Sequence, residues 1–165
     1  RAASSLRKAF DDGSDIDARE EMALASFFGG LALANAKLGA VHGFAGVIGG
    51  MFPIPHGVVC ADLLPFSIEV NVKALTEREP TSDYLKRFDE VAEILTGKRE
   101  AKAGDAVIWI QQLCEHLKVP SLKTYGITEK DFPEIIEKSM VASSMKGNPI
   151  VLTYEELEEI LRKAM

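Results

Sequence analysis

The stretch from Leu38 to Pro65, LGAVHGFAGVIGGMFPIPHGVVCADLLP, constrains the fold more than any other part of the chain. It has no charge between Lys37 and Asp62. It does hold two of the three histidines, His42 and His56, among glycine, proline and apolar side chains. An imidazole in such surroundings needs a partner, because an unpaired buried polar group costs roughly 1–3 kcal/mol. Two arrangements supply one. Each ring bonds a backbone carbonyl inside a core, or the two rings converge on a metal ion. On one straight helix the fourteen-residue interval would hold the rings about 21 Å apart, at ~1.5 Å per residue. The chain between them breaks such a helix. Gly49-Gly50 weakens it, and Pro53 and Pro55 remove amide donors and push the preceding residues out of the α region. We therefore expect a helix carrying His42, a reversal through Gly49 to Pro55, and a second helix starting near His56. That return brings the two imidazoles towards each other.

The rest of the chain reads as helix. Residues 1–10 end one, with Leu6, Ala9 and Phe10 on a face, and a turn follows at Asp11-Asp12-Gly13-Ser14. Asp17 with Glu20 resembles a capping box, opening a helix that runs to about Gly39. Its later half is alanine, glycine and serine, so it is expected at the centre of a bundle, with Met22, Phe27 and Phe28 in the core. Beyond the histidines, a helix kinked at Pro65 runs to about Leu75. A helix from Ser82 carries Tyr84, Phe88, Val91 and Leu95 at helical spacing, and one over 103–118 faces Val107, Ile110, Leu113, Cys114 and Leu117 inward. Residues 129–144 place Phe132, Ile135, Ile136, Met140 and Val141 inward, and Thr153 caps the last helix. No segment alternates like a strand. The expected class is all-α, a bundle of seven to eight helices in a single domain over 1–165.

Composition narrows the partners. A net charge of −6 with a pI near 5.1 argues against nucleic acid or an anionic membrane. The uncharged run Leu38–Ala61 has the length of a membrane span, but its six glycines, two prolines and two histidines suit a buried helical hairpin better. The two cysteines, Cys60 and Cys114, form no CxxC pair and imply no disulfide framework.

These residues resemble a known family. Leu38-Gly39, His42-Gly43, Gly49-Gly50, Pro55-His56-Gly57 and Leu64-Pro65 are similar to the second signature of the iron-containing (group III) alcohol dehydrogenases. Asp17-x-Arg19-x-x-Met22-x-x-Ala25 and Gly30-x-Ala32-x-x-Asn35-x-x-Leu38-Gly39 fit the helix before that signature. Gly147-Asn148-Pro149 and the acidic helix after it fit the family's C-terminus, so the resemblance covers essentially the whole chain. It implies the helical C-terminal domain of the dehydroquinate synthase-like fold, with His42 and His56 as metal ligands. Two further ligands, an aspartate and a histidine, would lie upstream of Arg1, as would the nucleotide-binding domain. The implied cofactors are a divalent metal, Fe²⁺ with Zn²⁺ as the alternative, and NAD or NADP. The implied reaction is hydride transfer between an alcohol and an aldehyde or ketone, in a cytoplasmic protein. This chain alone would be inactive, and an apolar face left bare would favour homo-oligomers. Where many members carry a histidine four residues after the first ligand, this chain has Gly46. Leu33 and Ser144 are expected as pocket walls.

One self-contained alternative remains from the residues themselves. Cys60 lies one helical turn after His56 and could complete a His-His-Cys set. The chain would then be a non-enzymatic helical metal-binding or interaction domain. Asp62 points to another face and His116 reads as a surface or half-buried helix residue, so neither is counted as a ligand.

Overall fold

The computed structural model describes residues 1–165, and all of its regular structure is helical. Eight α-helices follow one another: α1 Ala2–Asp11, α2 Ile16–Asn35, α3 Ala40–Met51, α4 His56–Arg78, α5 Asp83–Thr96, α6 Ala103–His116, α7 Phe132–Val141 and α8 Tyr154–Lys163. Short 3₁₀ turns occupy Leu122–Tyr125, Glu129–Asp131 and Ser143–Gly147. No single helix is long and apolar enough to cross a membrane.

α4 is the shared element, in contact with α3, α5, α6 and α8. On one side Phe44 and Ile48 of α3, Leu63 and Leu75 of α4, Ile135 and Ile136 of α7, and Leu157 and Ile160 of α8 form the main core. Each such side chain contributes about 1.5–3 kcal/mol on burial. On the other side Ile68 packs with Val107 and Ile110 of α6, and Phe88 and Leu95 of α5 close over them.

α4 continues through Pro65 without a break. Proline has no N–H, so the carbonyl of Ala61 loses its helical donor. The thiol of Cys114, on α6, takes that carbonyl at 3.4 Å. The start of α8 is as expected: Thr153 accepts the Glu156 N–H at 3.3 Å, and its own N–H donates to Glu156 at 2.6 Å.

Several expectations are corrected. The cap of α2 is Asp15, which accepts the Ala18 N–H at 2.9 Å, rather than Asp17. α2 packs on α1 and turns away from the bundle. Every residue from Ser26 to Ala36 is exposed, including Phe27 and Phe28. The stretch is apolar on all sides, and such a helix calls for enclosure, but no other helix of this chain encloses it. On α5 it is Ala92 that is fully buried, while Tyr84 and Val91 are exposed. On α7 Met140 and Val141 are exposed, and Ser139 takes the inward place. α3 tolerates Gly49-Gly50 and ends at Met51, so the reversal is confined to Phe52–Pro55.

Candidate metal centre

The reversal decides where the histidines meet. From His42 to Met51, α3 rises about 14 Å, at ~1.5 Å per residue. Extended backbone covers at most ~3.3–3.6 Å per residue, so the few residues to His56 are long enough to return that distance. The backbone is extended at Phe52 and near ψ 131° at Pro55. The ring centroids of His42 and His56 stand 5.5 Å apart with the planes tilted by 53°.

Cys60, one turn further along α4, joins them. Its Sγ is 3.4 Å from His56 Nε2. One donor atom from each of His42, His56 and Cys60 lies within 4.8 Å of the other two. Ligands of one tetrahedral ion at ~2.0–2.3 Å stand roughly 3.4–3.8 Å apart, so small side-chain rotations bring this set to ligand spacing. The donors fit a borderline transition metal. Neither ring bonds a backbone carbonyl, as core histidines would.

The protonation states separate His42 from the Cys60 thiol. Burial, and then the neighbouring His56, lower the pKa of His42, which favours the neutral ring a metal requires. Burial pushes the Cys60 thiol up, away from the thiolate that would bind. His42 is therefore better prepared for a metal than Cys60.

The cluster opens on a cleft of about 620 Å³ between the start of α3, the middle of α4 and the Asn148-Pro149 loop. Lys37, Leu38, Leu64 and Phe88 line it beside His42 and Cys60. Leu33 and Ser144, expected as walls, do not: Leu33 sits on the outlying half of α2 and is 56% exposed. Nothing lies within 4 Å of where a Cβ on Gly46 would be, so that position is open space. His116 is elsewhere, paired with Asp11 at 2.7 Å. The Asp62 carboxylate is also turned away and accepts the Leu122 N–H at 3.0 Å. Sequence reasoning missed Asn148 at the cleft. The Gly-Asn-Pro tripeptide reads locally as a helix stop, which hides its contact with a helix far back in the chain.

The profile for the Fe-containing alcohol dehydrogenase family, C-terminal, matches residues 2–165, and the chain belongs to that family. Alcohol dehydrogenase 4 of Schizosaccharomyces pombe is 38% identical over 161 residues, spanning 97% of this chain and 36% of that protein. The 1,3-propanediol dehydrogenase of Klebsiella pneumoniae is 34% identical over 168 residues, spanning 98% and 41%. A crystal structure of 1,3-propanediol oxidoreductase superposes with a TM-score of 0.83 at 34% identity, covering 99% of this chain and 42% of that one. The chain therefore spans well under half the length of these relatives.

Proposed function

We propose that this chain is the helical metal-binding domain of an NAD(P)-dependent alcohol dehydrogenase, with His42 and His56 as two of the metal ligands. The observation that carries this is the convergence of two imidazoles, from the starts of α3 and α4, beside a cleft that His42 lines. Fe²⁺ is the expected ion and Zn²⁺ the alternative. When bound, such an ion supplies a Lewis acid for an alcohol or carbonyl oxygen. The chain's own part is to hold neutral imidazoles at the ion and to present an apolar cleft to the carbon skeleton of the alcohol. Gly46 leaves room beside His42 and provides no proton-transferring group there. The nicotinamide nucleotide and the remaining ligands belong to the further length that the relatives have. Hydride transfer with the nucleotide therefore requires more than these residues, and the chain alone is expected to be inactive. Free Cys60 and Cys114 suit a reducing, cytoplasmic compartment.

Titration of the chain with Zn²⁺, and anaerobically with Fe²⁺, tests this reading by calorimetry. One weakly bound ion is expected, lost in His42→Ala and in His56→Ala and retained in Cys60→Ser. Binding that survives both histidine substitutions overturns the assignment. The proximity of Cys60 supports one other reading, a self-contained three-donor site, and tight binding abolished by Cys60→Ser would favour it.

A further inference from the structure

We propose that Asn148 is a positioning residue for the metal site, clamping the first turn of α3, and with it His42, against α4, which carries His56. The inference rests on His42 and His56 being ligands. The start of α3 has no cap of its own, because its N-cap is Gly39. A helix leaves its first N–H groups without internal partners. The Ala40 N–H is taken by Asn148 Oδ1 at 3.0 Å, from 108 residues away in the chain. His42 follows two residues later, in the same turn.

The other end of the carboxamide holds α4. Asn148 Nδ2 donates to Asn71 Oδ1 at 2.6 Å and to the Ile150 carbonyl at 2.8 Å. Asn71 is buried, and its own Nδ2 donates to the Ser67 carbonyl at 2.7 Å. That bond leaves Asn71 Oδ1 free to accept only, which fixes the orientation of the Asn148 amide. One side chain thus spends its acceptor on the helix of the first ligand and a donor on the helix of the second.

Two glycines permit the approach. A Cβ on Gly39 would stand 2.9 Å from Asn148 Oδ1, and one on Gly147 would collide with the Leu38 carbonyl. Asn148 also borders the cleft that His42 and Cys60 line. A ligand set has to be held to within about 0.5 Å to bind well, and a frayed first turn would not hold His42 so closely.

The test is Zn²⁺ titration of the chain, followed by calorimetry and by the imidazole NMR signals. The proteins are the parent, Asn148→Ala, Asn148→Asp, His42→Ala and Ile160→Val, the last a core change on α8 away from the cleft. Asn148→Ala is expected to raise the Kd for Zn²⁺ about tenfold and to shift the His42 ring signals before metal is added. Asn148→Asp, which keeps the acceptor for Ala40, should recover part of the loss, and Ile160→Val should leave Kd unchanged. Parent-like Kd and His42 signals in folded Asn148→Ala overturn the proposal. So does an equal loss in Ile160→Val, which would mean that stability alone is being read. If Asn148→Ala does not fold, Gly39→Ala, which displaces the carboxamide oxygen, serves the same comparison. Unchanged binding in His42→Ala would instead sink the ligand assignment, and is seen without any Asn148 variant.

Discussion

The thiol of Cys114 stands 3.4 Å from the carbonyl oxygen of Ala61, the helical acceptor that Pro65 leaves without a donor. An unsatisfied buried carbonyl costs roughly 1–3 kcal/mol. Cys114→Ala is therefore expected to lower stability by about 1 kcal/mol, and Cys114→Ser, which keeps a donor, by less. Urea unfolding of the two variants decides it. Equal losses would show that the thiol merely fills space.

Asp62 gives the fold a pH dependence. Burial raises its pKa to about 6, although the Leu122 N–H bonded to the carboxylate works in the opposite direction. The folded-state pKa lies above the ordinary carboxylate value of 3.8. Its contribution to stability is therefore fully present below that value and is lost as pH rises through about 6. Asn at this position keeps an acceptor for Leu122 and carries no charge. Tm measured from pH 4 to 8 should fall less steeply in Asp62→Asn than in the parent across pH 4–6, and parallel curves would refute the assignment.

The capping box of α8 is a third test. Thr153→Ala removes the side-chain acceptor for the Glu156 N–H and should cost about 1 kcal/mol. Glu156→Ala should cost more, because Arg78 Nη2 also bonds its two carboxylate oxygens at 3.0 and 2.9 Å and would lose both. Chemical denaturation of the single and double variants gives the coupling directly.

Gly46 offers a gain. It lies inside α3 with open space where a side chain would go. Alanine is favoured over glycine in a helix interior by roughly 0.5–1 kcal/mol. Gly46→Ala should raise the urea midpoint while leaving Zn²⁺ binding unchanged, and a destabilised variant would mean that the space is needed.

Most of the candidate centre was legible in the sequence because its logic is local. Pro53 and Pro55 dictate where the chain turns, and the turn dictates that His42 meets His56. The inward faces of α6 and the cap at Thr153 are local in the same sense. α2 was misplaced for a physical reason: a helix apolar all round states that it needs covering without naming what covers it. Met140 and Val141 failed because α7 ends at Val141, where helical periodicity stops describing orientation. Asn148 and Asn71 escaped because no local pattern links a loop asparagine to a helix start 108 residues earlier.

That separation also orders events during synthesis. A ribosome adding about 5–20 residues per second needs roughly 5–20 s to travel from Ala40 to Asn148. For most of that interval His42 and His56 already exist as sequence, but the start of α3 has nothing to close it. A nascent chain released early, or nicked before Asn148, would keep its two histidines and lose the residue that finishes their alignment.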